Sequence, residues 1–317
     1  MVHSQFVVVD MQRSQFNTPN RAGEHFIRLT LGDASGTIKG IIWDSSIVPQ
    51  DLKTDAVVLV AGEVTEYYGL QVVVSCLQVL DKSKVNRSYL QPSSSYDPEE
   101  MWRKLQLKIE QLIQNPKLLE LWQHISSQQE LIEKFKLAPA ARSVHHYYLS
   151  GLLEHTLEVV YFCESICRLY PKHIDPSLLI LGAALHDLGK VEEYDLDSYS
   201  FQLTDKGKLI GHIILGKTIV DKMVEEMKDF PANLKLALDH MLLSHHGQKE
   251  WGSPEVPKTA EAFALFHADL LSARLRQFTQ IMESESKRNS SWSSWDRFLE
   301  RSIYLGTKDI IANVKEK

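Results

Sequence analysis

Residues 178–190 read Leu-Leu-Ile-Leu-Gly-Ala-Ala-Leu-His-Asp-Leu-Gly-Lys, an almost wholly apolar run that ends in an imidazole and a carboxylate. Such a run reads as a buried helix, so His186 and Asp187 are carried into the interior. A lone histidine on an apolar face is usually a hydrogen-bonded core residue. A carboxylate is harder to accommodate, because burying one unpaired costs several kcal/mol.

Four further features of the same kind lie on either side. His155 is in line with Leu152, Val159 and Phe162, the inward face of a helix. Asp269 falls in AFALFHADLLSA (262–273), with Leu265, Phe266 and Ala273 as helical neighbours. His212 and the pair His245-His246 also sit among apolar residues. The inward faces supply very few lysines or arginines to Asp187 and Asp269. A metal ion bound with the histidines is the economical counter-charge. Imidazole and carboxylate without thiolate suit Mn²⁺, Fe²⁺, Co²⁺ or Zn²⁺ better than a structural zinc, which favours cysteine. Helices predicted over roughly 150–169, 176–188, 206–228, 231–245 and 257–283 can present such ligands to a bundle core.

Upstream the pattern changes. In His25–Leu31, Ile27, Leu29 and Leu31 alternate with Phe26, Arg28 and Thr30, the signature of a strand. Asp33-Ala-Ser-Gly36 is a turn signal and Thr37–Trp43 resumes as a strand. Phe6–Val9 is a short apolar run, and Ala56–Val64 and Leu70–Leu80 form a second hairpin around Tyr67-Tyr68-Gly69. Five short strands in about 80 residues predict a small closed barrel of the OB type. Residues 83–96, polar and ending in a serine run, read as a linker. Asp97-Pro98 and Asn115-Pro116 each place a cap and a first-turn proline, so helices dominate from 97 to 317. The expected organisation is multidomain: an all-β OB-fold-like barrel (1–82), a linker (83–96) and an all-α bundle (97–317).

Composition narrows the function. The net charge is −6, and residues 1–82 hold six Lys/Arg against nine Asp/Glu, which argues against wrapping duplex DNA. No apolar run approaches the roughly 20 residues that span a bilayer, and the N-terminus lacks a leader pattern, so a cytoplasmic protein with no membrane partner is expected. Three cysteines without a Cys-x-x-Cys pair exclude a disulfide scaffold, and Cys76, Cys163 and Cys167 are expected to be buried. Of the 13 histidines, most fall between His145 and His246.

The order His … His-Asp … Asp, in GLLEHT, ALHDLGK and HADLL, resembles the HD superfamily of metal phosphohydrolases. Carried onto this chain, the resemblance makes His155, His186, Asp187 and Asp269 ligands of a first divalent ion. It makes His212 and His245, with His246 as the alternative or addition, ligands of a second, bridged by Asp187. HHYYLSGLLEHT, ALHDLGKVEEY, LTDKGKLIGHI and LSHHGQKEWGSPEVPKTAEA look like the YhaM-type 3′→5′ exoribonucleases, whose OB-fold LTLGDASGTIKGIIWD also resembles. The likeness covers nearly the whole chain and departs at the extreme N-terminus and around 84–135. It implies hydrolysis of single-stranded RNA, or single-stranded DNA, with one or two ions per chain, Mn²⁺ first among them. Competing readings are an HD phosphohydrolase of free or cyclic nucleotides and a nucleic-acid-binding adaptor with a structural metal site. A separate barrel favours a polymer.

Asp187 would bridge the ions and orient water, and Lys190, four positions after His186, would contact phosphate or leaving oxygen if the helix continues. His145 and His146 are candidates for substrate phosphates, and Trp251 for stacking on a base. On the barrel, Phe26, Trp43, Tyr67 and Tyr68 are candidate stacking residues, with Arg28 and Lys39 for phosphates. The plainer alternative for each is capping, loop anchoring or core packing. Trp292 and Trp295, in SSWSSWDRF, are expected to dock on the helical domain or on a second subunit, leaving a homo-oligomer open.

Overall fold

The computed structural model describes residues 1–16, 23–67, 69–141, 148–285 and 290–306. Five strands, β1 (Val2–Gln15), β2 (His25–Asp33), β3 (Gly36–Ile42), β4 (Val57–Glu66) and β5 (Leu70–Leu80), close a barrel in the order β1-β2-β3-β5-β4. All neighbours are antiparallel except β3 and β5. Alternation does what it predicts: Ile27, Leu29 and Leu31 enter a core with Phe6, Val8, Ile42, Val58, Val60 and Val72. The first strand is far longer than Phe6–Val9. Its polar ends are ordered by pairing, Val2–Val7 with β4 and Val7–Gln15 with β2, with a register shift between Val8 and Asp10. Closure needs one strand to serve two neighbours, a demand that apolar content does not display.

The helical part comprises α1 (Pro98–Leu112), α2 (Pro116–Ser126), α3 (Gln129–Leu137), α4 (Gly151–Leu169), α5 (Pro176–Leu185), α6 (Lys190–Glu193), α7 (Asp205–Leu209), α8 (His212–Glu225), α9 (Ala232–Ser244) and α10 (Ala260–Ser284). Asp97 accepts from the Glu100 amide and Asn115 from those of Lys117 and Leu118, so both proline-marked starts are capped. The stretch expected as one helix over 206–228 is two, because Gly211, at φ 79° and ψ 156°, turns the chain before His212. The run expected over 176–188 ends at Leu185 and gives way to a turn. Every residue of α5 from Ser177 to Leu185 is buried. It forms one continuous core with α4, α9 and α10, among others. Among the described residues, no helix is long and apolar enough to cross a membrane.

One expectation is corrected. Cys163 is buried, but Cys76 is exposed and Cys167 half-buried: a register shift opposite Ala61 and Gly62 breaks the alternation of β5 after Val74, so that Leu77 turns inward and Cys76 outward. In the C-terminal segment, Leu299, Ile303 and Leu305 pack against Phe278, Ile281 and Met282 of α10. Trp292 stacks edge-on against Tyr304, and Trp295 is exposed.

Barrel and bundle are clamped together. Tyr199, in the loop after α6, packs with Val7, Val57 and Leu90, while Lys82 and Arg87 lie 5.1 and 5.0 Å from its ring centre. Asp55 accepts hydrogen bonds from Ser198 Oγ (2.9 Å), Ser200 N (2.8 Å) and Ser200 Oγ (2.9 Å), and pairs with Lys82. The segment read as a linker is itself held: Gln91 is buried, and Ser94 Oγ donates to Glu154 at 2.6 Å.

Burial opposes ionisation of Asp55, but Lys82 and the two serine donors overcome it and hold its carboxyl below the ordinary 3.8. A depressed folded-state value means that the clamp contributes fully above that ordinary value and is lost as pH falls through the folded one. Asp55→Asn, which tolerates the same left-handed backbone (φ 70°), should cost about 1–2 kcal/mol at pH 7. In urea melts, that gap should shrink towards zero as pH falls below 3.8; a gap constant with pH would refute the charge role.

Candidate metal centre

Five elements converge on Asp187. Its residue sits in the turn after α5, where Leu188 N donates to Leu185 O and Lys190 N to Asp187 O. Gly189 lets this turn lie against the start of α8: a Cβ there would stand 2.0 Å from His212 O and 2.4 Å from Gly216 N. That close approach carries His212 to the dyad. His155 comes from α4, Asp269 from α10, and His245 and His246 from the C-terminal end of α9.

The side chains form two sets. His155, His186 and Asp269 offer ligand atoms within 4.8 Å of one another, as do His212, His245 and His246. Asp187 stands between them. Its Oδ2 is 3.4 Å from His186 Nε2 and 3.6 Å from His155 Nε2, and its Oδ1 is 3.5 Å from His212 Nε2 and 3.7 Å from His245 Nε2. His155, His186, Asp187 and His245 are each at most 3% exposed.

Each histidine is aimed by its other nitrogen. The Nδ1 atoms of His186 and His245 lie 2.8 Å from the carbonyls of Ala183 and Leu242, and that of His246 lies 3.3 Å from the Trp251 carbonyl. His212 Nδ1 is 3.0 Å from Glu193 Oε1. His155 Nδ1 is 2.9 Å from Ser272 Oγ, whose own hydroxyl is given to Glu158 at 2.6 Å. Acceptors at every Nδ1 place the proton there and leave every Nε2 lone pair facing inward. His155 and His186 then oppose lone pairs at 3.3 Å, as do His212 and His246. Among the described residues, Asp187 Oδ1 and His245 Nε2 are buried without a hydrogen-bond partner. Converging lone pairs and an orphaned carboxylate oxygen fit divalent cations, and the donor set fits no other resident group.

Electrostatics agree. Burial lowers His155 and His245, and burial with the neighbouring rings of His245 and His212 lowers His246 to about 3, so these rings are neutral and fit to ligate. Burial also acts against charge on His186, but Asp187 overcomes it and raises that ring, as in a site that demands positive charge. Burial opposes ionisation of Asp187, yet Lys190 and His186 hold its carboxyl well below the usual range. Burial likewise opposes ionisation of Asp269, and His155 and His186 hold it low.

The other candidate residues are placed as follows. Lys190 Nζ is 2.6 Å from Asp187 Oδ2 and donates to the Ala140 carbonyl. It reaches the carboxylate from a new short helix rather than along a continuing α5. Trp251 is half exposed and holds His246 through its carbonyl. Phe26, Arg28, Lys39, Trp43 and Tyr67 line one concavity of about 690 Å³ on the barrel, away from the histidines. Phe16 joins Phe26 and Trp43 there, at 5.0 and 5.8 Å between ring centres. Arg28 lies 5.1 Å from the Phe26 ring centre. His145, His146 and Tyr68 lie outside the described residues. Glu193, Ser272, Glu158 and Phe16 escape sequence reasoning, because no spacing separates Glu193 from its neighbour Glu192, or Ser272 from an ordinary helix serine.

Purified protein should hold one to two divalent ions per chain, and His186→Ala or Asp187→Ala should lose them by elemental analysis. A chelator should lower Tm, since ligand at a thousandfold its Kd stabilises by about 4 kcal/mol. An unchanged Tm and full hydrolytic activity after exhaustive chelation would refute the metal reading.

No solved structure matches the chain. A family model described as HD domain matches residues 152–274, from the turn before His155 to just beyond Asp269. Residues 152–274 are therefore an HD domain, the module of metal-dependent phosphohydrolases, joined to an N-terminal five-stranded barrel.

Proposed function

We propose that this chain is a metal-dependent 3′→5′ exoribonuclease that degrades single-stranded RNA, or single-stranded DNA, to mononucleotides, with Mn²⁺ as the first-choice ion. The observation that carries the reading is the coexistence of two features in one clamped body. One is a buried carboxylate shared by two histidine sets. The other is an aromatic and cationic concavity on the barrel.

His155, His186, Asp269, His212, His245 and His246 would hold the divalent ions, which would supply the Lewis acidity that acidifies water and neutralises phosphoryl charge. Asp187, ionised between the two sets, orients that water. Lys190 keeps Asp187 ionised and offers an ammonium at the edge of the phosphate site. Rings at Phe16, Phe26, Trp43 and Tyr67 offer faces on which unpaired bases stack without regard to sequence, with Arg28 and Lys39 for the backbone. A free nucleotide needs no such platform. The ligand atoms lie beneath the surface, which favours a chain entering by its end over one lying across the domain. The 3′ polarity rests on the resemblance to YhaM-type enzymes.

A 5′-labelled single-stranded RNA should shorten progressively from its 3′ side, and a stable hairpin should halt the enzyme. Trp43→Ala should raise KM for long RNA by roughly tenfold, one stacking interaction, and raise it far less for a dinucleotide. Internal fragments at the earliest times, or equal cleavage of circular RNA, would overturn the exonuclease reading.

A further inference from the structure

Between α6 and α7 the chain makes an irregular hairpin, residues 194–203. Tyr194 pairs with Leu203, and Asp195 N donates to Gln202 O at 2.8 Å. Its tip is the part gripped by the barrel side. Tyr199 packs on Val7, Val57 and Leu90, Asp55 receives Ser198 and Ser200, and Arg87 donates to the carbonyls of Leu196 (2.6 Å) and Ser198 (3.1 Å).

Both legs of the hairpin run into the same metal ligand. At the first leg, Glu193 Oε1 takes the main-chain N–H of His212 at 3.1 Å and faces its Nδ1 at 3.0 Å. At the second leg, Thr204 caps α7, which leads through Gly211 directly to His212. The two legs are locked together where Thr204 N donates to Glu193 O (2.9 Å) and Thr204 Oγ1 to Glu192 O (2.8 Å). Gly207 seals the joint, since a Cβ there would stand 2.3 Å from Glu193 O. His155, His186 and Asp269 hang from α4, the end of α5 and α10, outside this path.

We propose that the hairpin is a strut by which the docked barrel holds Glu193, and through it His212, in position for the second divalent ion; this rests on the two-ion reading of the centre. Glu193 is a positioning residue. A carboxylate on the far nitrogen fixes the tautomer and strengthens the near one as a ligand, and loss of such a partner typically weakens metal affinity 10–100-fold.

The test is a Co²⁺ titration of the full chain, followed by visible absorption and elemental analysis, with far-UV circular dichroism as the check on folding. The wild type should bind two ions. Glu193→Ala should weaken one of them about 10–100-fold and spare the other, and Glu193→Gln, which keeps an acceptor for both N–H groups, should restore most of the loss. At the barrel end, Tyr199→Ala should weaken the same ion severalfold. Should Tyr199→Ala fail to fold, Arg87→Ala, which removes the donors to Leu196 and Ser198 without opening the apolar contact, should show the same selective effect. A wild type that binds two ions, with barrel-end variants that change neither or weaken both equally, overturns the strut alone. A wild type that binds fewer than two overturns the strut and the two-ion reading together.

Discussion

The Asp187 carboxylate is the constraint around which the helical domain is organised. A charged group 3% exposed forfeits its hydration, and a loss of that size must be offset by charges and donors aimed at both oxygens. Lys190 offsets part of it at Oδ2, while Oδ1 has no hydrogen-bond partner among the described residues. The packing answers that imbalance. Helices α4, α5, α8, α9 and α10 meet here and deliver five imidazoles and a second carboxylate instead of apolar side chains. A divalent cation held by these groups would supply the positive charge that the buried carboxylates lack.

Orientation is built from the backbone as much as from side chains. Two of the five rings are aimed by the carbonyl three residues earlier in their own helix end, Ala183 for His186 and Leu242 for His245. This requires the ligand to fall at a helix C-terminus, where carbonyls lack intrahelical partners. Helix α5 must therefore stop at Leu185 and α9 at Ser244. The helix ends are placed by the chemistry, and Gly189 and Gly211 serve the same end by permitting the close approach and sharp turn that bring His212 inward.

How much of this is legible in the sequence follows from range. Alternation in β2 and apolar continuity in α5 are local and strong, so both the barrel and the buried dyad can be read from them. The candidate ligand set follows from the cost of burying Asp187 and Asp269 together with a family likeness, and the structure brings those residues together, with the histidines in two groups. The full extent of β1 is set by two partner strands, and its polar ends carry no local sign of that. The break at Gly211 is a backbone requirement that a continuous helical pattern conceals. Glu193, Ser272 and Glu158 act across 19, 117 and 114 residues of chain, and nothing near them marks the contact. Residues 83–96, polar enough to read as a tether, are fastened by Gln91 and Ser94 to groups more than 50 positions away.

On the proposed exonuclease reading, that fastening would matter for catalysis on a polymer. A platform on a loose tether raises local substrate concentration but leaves the strand end to find the site by diffusion. A platform clamped by Asp55, Arg87 and Tyr199 would fix the direction from which a strand arrives, so that stacking on the barrel and seating at the metal centre would become one geometric event. Effective concentration then depends on orientation as well as distance. The same rigidity sets a limit. A strand that spans the two sites in one register must release its stacking contacts before the next linkage can reach Asp187, so stacking tighter than the step requires would slow degradation. Trp43 and Tyr67 stay 40% and 65% exposed, so on that reading a base could stack on them and leave without the barrel having to open.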